Sequence, residues 1–309
     1  MLTEKDPHIP SSERSTQNGD DIKNIDNNDG IDRYAVQLKE PIDTFDPEAL
    51  AFNPNSEEIR KVRWKIDKRL IPLLTAMYLC SFLDRANIGN AKVAGMEADL
   101  SLKPGEFNTA LSIFYVGYVI GEVPSNMALK QFGPRLWIPI VMFLWGSIMI
   151  AMAAVKTAGA LYAARFFLGL AESGYAPGPV YVISMWYARN EQAIRVGLFF
   201  SASTVAGAFG GLLAYAISHM DGLHGLQGWQ WIFIIEGIPT IVVCFLAFIY
   251  LPDFPATSTF LTPTERALTI KRLAVDAGPG DEPHFSWVQF RAAFKDWKVH
   301  MHMLIAILQ

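Results

Sequence analysis

The segment Arg165–Trp186, with the sequence RFFLGLAESGYAPGPVYVISMW, is long and apolar enough to cross a bilayer, yet it contains an arginine and a glutamate. Arg165 and Glu172 lie seven positions apart, which in an α-helix places both on one face, about two turns apart. An ionised side chain at mid-bilayer costs roughly 2.5–3.5 kcal/mol even on the milder insertion scales. The segment therefore predicts a membrane helix whose charged face meets a partner charge, a water-filled cavity or a bound ion rather than lipid.

The composition of the whole chain is typical of a membrane protein. Of 309 residues, 51% are hydrophobic and 18% are charged, whereas a soluble protein averages about 25% charge. The charges are concentrated in a polar tail and one polar loop, and long apolar runs fill the rest, which predicts an all-α integral membrane protein. The net charge of −4 gives no basic surface for nucleic acid. Cys80 and Cys244 both lie in apolar runs, where unpaired buried thiols are expected and neither a disulfide framework nor a zinc site is indicated.

Residues 59–251 contain six apolar runs that predict a lobe of six membrane spans. The predicted spans are about Leu70–Lys92, Phe107–Leu129, Leu136–Val155, Ala158–Tyr187, Ile194–His219 and Trp229–Leu251. The first is expected to break near Asp84–Asn87. The fourth exceeds the roughly 20 residues that a crossing needs, so a tilt or a kink at Pro177 and Pro179 is expected.

Three further segments flank this lobe. Residues 1–58 are rich in Asp, Asn, Ser and Pro and have no apolar signal-peptide core, so we predict a disordered tail. Residues 252–298 form a polar central loop, in which Thr262–Glu265 has the pattern of a helix start and Trp287–Phe294 predicts a second short amphipathic helix on the membrane surface. Residues 299–309 are apolar again and are expected to be the start of a truncated seventh span.

The distribution of Lys and Arg predicts the orientation. Basic residues cluster before the first span, in the loops after the second and fourth spans, and in the central loop, whereas the opposite side carries only Lys92, Lys103 and Lys156. By the positive-inside rule, the N-terminus and the central loop are then cytoplasmic. The plasma membrane is the expected location. Six spans, a long loop and the start of a seventh span are typical of half of a two-lobed transporter.

Small residues and aromatic residues give two expectations about packing. Glycines and a serine spaced four apart predict close helix contacts; they are Gly117 and Gly121, Gly174 and Gly178, and Ser203, Gly207 and Gly211. Trp186, Tyr187, Trp229 and Trp231 lie at span ends, where interfacial aromatic anchors are expected.

Several motifs in series resemble the major facilitator superfamily. The segment Asn126–Arg135, NMALKQFGPR, is similar to the loop signature between the second and third spans of that family, with Lys130 where most members carry Asp. This lysine, with Asp84–Ala91 (DRANIGNA) and Arg165–Gly174, resembles the anion:cation symporter branch, and within it the fungal allantoate-permease group. The resemblance implies twelve spans in two lobes that rock around a midplane site, a small carboxylate or vitamin as substrate, and acid and arginine residues as the site.

Four charges at hydrocarbon depth are the candidate site: Asp84, Arg85, Arg165 and Glu172. A guanidinium presents a planar fork that matches a carboxylate, so Arg85 and Arg165 suit an organic anion, and Asp84 and Glu172 would then accept protons. The alternative is a buried ion network that only joins the first span to the fourth.

Other polar side chains are weaker candidates. Asn87 and Tyr115 are predicted to line the cavity, and Glu122 and Glu236 are interpreted as structural hydrogen-bonding groups. His219 and His224 flank an outer loop and are expected to be solvated.

The function predicted from these residues is proton-coupled symport of a small organic anion or vitamin-like carboxylate. The partners are the substrate, the proton and the lipid bilayer, with either self-association or a C-terminal lobe to complete the site. Neither catalysis, a cofactor nor a metal is predicted, because no phosphate-binding glycine loop, HExxH pair or nucleophile triad occurs in the sequence. The alternatives are a truncated, non-transporting membrane protein and a carboxylate-binding sensor.

Overall fold

The computed structural model describes residues 56–277 together with residues 297 and 301, and every regular element among them is helical. The helices are, in chain order, α1 (Glu57–Val93), α2 (Met96–Asp99), α3 (Glu106–Phe132), α4 (Pro134–Met152), α5 (Ala158–Glu172), α6 (Pro177–Trp186), α7 (Arg189–Ser218), α8 (Gly228–Tyr250) and α9 (Pro263–Ala277). The predictions for the tail up to residue 55, for Trp287–Phe294 and for the seventh span lie outside the described residues, apart from helical positions 297 and 301. The all-α prediction agrees with the described part of the chain.

The first helix differs from its prediction in two ways. It begins at Glu57, well before Leu70, with the Ser56 side chain accepting a hydrogen bond from the Ile59 amide, so the basic segment is part of the helix. It also continues without interruption through Asp84 and Asn87, so the expected break there is wrong. The physical reason is that both side chains are buried against other helices rather than lipid, and the backbone keeps its hydrogen bonds.

The fourth predicted span consists of two helices. α5 ends at Glu172 and α6 begins at Pro177, which occupies the first turn of the new helix. Proline lacks the amide hydrogen that a continuing helix needs, whereas the first turn of a helix requires none. The interruption expected near Pro177 therefore lies at residues 173–176, directly after Glu172.

The described helices differ in how well they suit a membrane by themselves. α4, α7 and α8 each have the length and the apolar composition that a crossing needs. α1 and α3 are long enough, with 37 and 27 residues, but neither reaches the apolar composition that a crossing needs by itself. α5 and α6 have 15 and 10 residues and cover the fourth predicted span only together. In the bundle, α3 packs along α5, α4 along α8, and α1 against both α7 and α8.

Two glycines allow α3 and α5 to touch. A Cβ atom on Gly117 would collide with the carbonyl oxygen of Phe166, and one on Gly169 would collide with that of Phe114. The predicted close contacts at Gly117, Gly121 and Gly174 are therefore present. On α7 the prediction is wrong, because a Cβ on Gly207 or Gly211 would meet nothing within 4 Å.

This contrast gives a stability prediction. The substitution Gly169→Ala is expected to lower the free energy of unfolding by about 1–3 kcal/mol, because the new methyl group overlaps a backbone atom that cannot move alone. The matched control Gly207→Ala is expected to raise it by up to about 1 kcal/mol, since alanine is the better helix former and the site has room. Denaturant unfolding of both variants in one detergent measures the difference, and equal shifts would show that α3 and α5 are not in close contact.

The aromatic residues at span ends connect protein segments instead of anchoring the bundle in the interface. Trp186, Tyr187 and Trp229 are buried, so their predicted role as interfacial anchors is wrong. The indole of Trp186 donates to the carbonyl oxygen of Asp253 at 3.2 Å, and that of Trp229 donates to the Asp99 carboxylate at 2.9 Å. Each therefore fastens a helix end to a neighbouring segment.

Ion pairs join α1, α7 and α9 at the basic end of the bundle. Arg195 holds both carboxylate oxygens of Asp67 at 2.8 and 2.7 Å. Glu191 accepts from Arg63 at 2.7 Å and pairs with Arg272 at 3.2 Å. These pairs fix the end of α1 relative to the helix that follows α8.

The predicted helix start at Thr262 is present as the cap of α9. The Thr262 hydroxyl accepts from the Glu265 amide at 3.3 Å, and the Glu265 carboxylate accepts from the Thr262 amide at 2.8 Å. Glu265 also accepts from Lys65 of α1 at 2.8 Å, and the hydrogen bond from this ammonium group holds the pKa of the carboxyl below its usual value.

Candidate functional site

One polar face of α1 meets the end of α5 in a buried ion pair. Arg85 Nε donates to Glu172 Oε1 at 2.7 Å, and the Ser81 hydroxyl donates to the same oxygen at 2.6 Å. Ser81 and Arg85 lie one turn apart on α1, so both reach the last residue of α5. Glu172 is 1% exposed, whereas the Arg85 side chain is 37% exposed, so the pair lies at the edge of the packed interior with its cation on the more exposed side.

Arg165 lies beside this pair without joining it. Its side chain is 3% exposed, and its Nε and Nη1 atoms have no hydrogen-bond acceptor among the described residues. The guanidinium lies over the ring of Phe114, 4.7 Å from its centroid, and Glu172 is the carboxylate that acts on it electrostatically. A buried charge without hydrogen bonds is costly, so the environment of Arg165 is incomplete without an anion or ordered water.

An aromatic side chain completes the surroundings of Arg85. Its guanidinium lies over the Tyr118 ring, 5.2 Å from the centroid. Phe114 and Tyr118 are one turn apart on α3 and therefore stack beneath the two arginines together. The predicted cavity residue Tyr115 does not share that face, and its side chain is 62% exposed.

Asp84 belongs to a second polar face of α1. Its Oδ2 atom accepts from Trp145 Nε1 and from Thr240 Oγ1, both at 3.0 Å, and Oδ1 has no partner among the described side chains. The carboxylate therefore points to α4 and α8, and among the four candidate charges the structure pairs Arg85 with Glu172.

Asn87 follows Asp84 on the same face of α1, one turn along. Both Asn87 and Glu236 are buried, and their side chains are adjacent without a hydrogen bond of good geometry. The structural hydrogen bond expected for Glu236 is thus not formed with the residues that the structure describes. Glu122 is half-buried on α3.

Several residues of these two faces were not identified from the sequence. Ser81 contacts Glu172, Tyr118 contacts Arg85, and Trp145 and Thr240 contact Asp84. Ser81 and Arg85 are four positions apart, and this spacing alone indicates that they share a face of a helix. Trp145 and Thr240 lie within uniformly apolar spans, where no periodic pattern indicates that they meet Asp84.

Comparison with known proteins identifies the fold. Residues 74–309 match the family model described as the Major Facilitator Superfamily. The chain belongs to the major facilitator superfamily. It is 39% identical over 257 residues to the MFS transporter prlL of a fungal species, covering 81% of this chain and 52% of that protein. It is 38% identical over 231 residues to a putative tartrate transporter of Agrobacterium vitis, covering 74% and 51% respectively.

Solved structures of transporters share the fold of this chain. An inward-facing, unoccupied bacterial homologue of the human lysosomal transporter Spinster superposes with a TM-score of 0.56 at 19% identity, covering 64% of this chain and 46% of that one. The proton:xylose symporter XylE gives 0.52 at 16% identity, covering 68% and 50%. The chain spans about half the length of the curated relatives that it matches. It is therefore a multi-pass membrane protein with the helical fold of a superfamily whose named members here are transporters.

Proposed function

We propose that this chain provides one lobe of a proton-coupled symporter for a small organic anion. The observation that carries the proposal is Arg165: a buried guanidinium whose Nε and Nη1 atoms have no hydrogen-bond acceptor among the described residues, next to a carboxylate that another arginine already holds. A substrate carboxylate supplies the acceptors that Arg165 lacks, in the bidentate geometry that guanidinium groups favour. The similarity to a protein named as a putative tartrate transporter supports a small carboxylate as the substrate, since tartrate is one.

The ion pair between Arg85 and Glu172 suggests how the proton takes part. While Glu172 is ionised, it holds Arg85 in the ion pair. A proton on Glu172 removes that charge and frees Arg85 to join Arg165 on the substrate, so anion and proton bind together. Asp84, which lies close enough to Glu172 for their charges to interact, is the second proposed proton acceptor.

A transport cycle needs a second wall for this site. Superfamily members of the rocking type place substrate between two lobes at mid-membrane, so we assign the opposing wall to a C-terminal lobe or to a second copy of this chain. We further propose the plasma membrane as the location, a cytoplasmic N-terminus and membership of the allantoate-permease group. A sensor that binds carboxylates without moving them is the second candidate, because the Arg165 Nε and Nη1 atoms that lack an acceptor in the described part of the chain would serve binding without transport as well.

The test is uptake and binding of labelled carboxylates at an acidic and a neutral pH. Cells that lack endogenous carboxylate carriers and express the chain are expected to accumulate at least one of tartrate, allantoate, nicotinate or pantothenate, faster at the acidic pH. Amines and sugars of similar size are the matched controls. Binding of a carboxylate to the purified chain without accumulation in cells would favour the sensor. Absence of both would contradict the proposed function.

A further inference from the structure

A groove of about 980 Å³ opens between α1 and α8 at the basic end of the bundle, away from the paired charges of the proposed site. Lys61, Lys65, Lys68 and Arg69 line one end of it. The three lysines recur along one face of α1 at positions separated by four and then three residues, so they form a single basic edge. Glu265 is the carboxylate among the lining residues, and it is already bound by Lys65 at 2.8 Å.

The other cations of the groove are available to bind an anion. Lys68 Nζ lies over the Trp64 ring, 3.7 Å from its centroid, and Arg69 lies over the Phe260 ring at 4.7 Å. Arg69 Nε also donates to the carbonyl oxygen of Tyr250 at 3.0 Å. Among the described residues no carboxylate pairs with Lys68 or Arg69, and Lys61 pairs only with the exposed Glu57. The groove therefore carries a net positive charge.

The other end of the groove is apolar. Further along α1 its wall continues through Leu73 and Ala76, and α8 contributes Val243 and Leu246. A ligand that fits must be anionic at one end and hydrocarbon at the other, with the hydrocarbon directed along two membrane helices toward mid-bilayer. That pattern matches a phospholipid with a net negative headgroup. It does not match a free phosphate, which has no apolar part to pack against the apolar wall.

We propose that this groove binds one anionic phospholipid, with its headgroup at Lys61, Lys68 and Arg69 and an acyl chain against Leu73, Ala76 and Val243. Trp64 also lines the groove, and aromatic side chains of its kind favour the headgroup region. With the N-terminus in the cytoplasm, as proposed above, the groove opens to the leaflet that holds the anionic lipids. The inference does not depend on which substrate, if any, is transported.

Native mass spectrometry of the purified full chain with an equimolar mixture of phosphatidylserine and phosphatidylcholine tests the proposal. The wild type is expected to retain one phosphatidylserine in preference to phosphatidylcholine. A basic residue near an anionic lipid surface is worth about a fivefold change in affinity, so the double variant Lys61→Gln/Lys68→Gln should bind phosphatidylserine roughly thirtyfold more weakly. The matched control Lys103→Gln/Lys156→Gln removes the same charge from exposed positions outside the groove and should change nothing.

Two further measurements separate the lipid from other occupants. Glycerophosphoserine, which has the headgroup without acyl chains, should fail to displace the lipid at equal concentration. A photo-crosslinker in place of Leu73 should form an adduct with phosphatidylserine. Equal retention of the two lipids, an equal loss in the control variant, displacement by glycerophosphoserine, or a cross-link to residues 278–309 of the chain itself would each overturn the proposal.

Discussion

Replacing Glu172 with glutamine is expected to make carboxylate binding independent of pH and to abolish proton-driven accumulation. Glutamine keeps an oxygen that accepts from Ser81 and Arg85, as Glu172 does at 2.6 and 2.7 Å, but it cannot exchange a proton. In the wild type, anion affinity should rise as the pH falls, because a proton on Glu172 frees Arg85. The variant should bind the anion with one affinity at both pH values, and uptake at the acidic pH should lose its advantage.

The control for this experiment is Glu58→Gln, which makes the same chemical change at an exposed position near the start of α1. Its pH dependence should match that of the wild type. If Glu172→Gln retains accumulation against a gradient that collapses on adding a protonophore, Glu172 does not couple the proton. The buried ion network would then have only the structural role of connecting α1 to α5.

Replacing Arg165 with glutamine is expected to weaken carboxylate binding by about 10- to 100-fold, the range for losing a hydrogen bond to a charged group. Arg165→Lys should recover only part of the loss, because an ammonium is a point charge without the guanidinium fork. The same substitution should not weaken the fold, although it weakens binding. Since Arg165 is buried and its Nε and Nη1 lack acceptors, removing its charge should leave the free energy of unfolding unchanged or raise it.

That difference in sign separates a binding residue from a structural one. Equilibrium binding and denaturant unfolding on the same preparations measure both quantities. Arg60→Gln, at an exposed position of α1, removes the same charge and should affect neither. If Arg165→Gln lowers stability and leaves binding intact, Arg165 belongs to the framework and the anion site lies elsewhere.

Helical geometry is the reason the sequence predicted that the face with Arg165 and Glu172 meets a partner charge, a water-filled cavity or a bound ion. Charges at positions 165 and 172 share a face of α5, and the cost of burying them requires a partner from another helix. Arg85 is that partner for Glu172, whereas Arg165 lies beside the pair without joining it. The same geometry explains why Asp84 lies apart from the other three candidate charges: Asp84 and Arg85 are adjacent, and adjacent side chains on a helix point about 100° apart. They therefore serve different neighbours, with Arg85 directed to α5 and Asp84 to α4 and α8.

The position of Tyr115 follows from the same geometry. Phe114 and Tyr118 lie one turn apart beneath the arginines, which leaves Tyr115 on another face of α3. What no local pattern indicated is the identity of long-range partners within apolar spans. Trp145 and Thr240 contact Asp84 across 61 and 156 positions of the chain, and this depends on how the helices are arranged in the bundle.

The central claim is that an anion and a proton bind together at Arg85, Arg165 and Glu172. Proton uptake measured with a pH indicator, while a bound carboxylate is titrated into weakly buffered purified protein, tests it most directly. The account predicts about one proton taken up per anion bound by the wild type, by linkage between the two sites, and none by Glu172→Gln. Saturable anion binding without proton uptake by the wild type, or equal uptake by the variant, would contradict it.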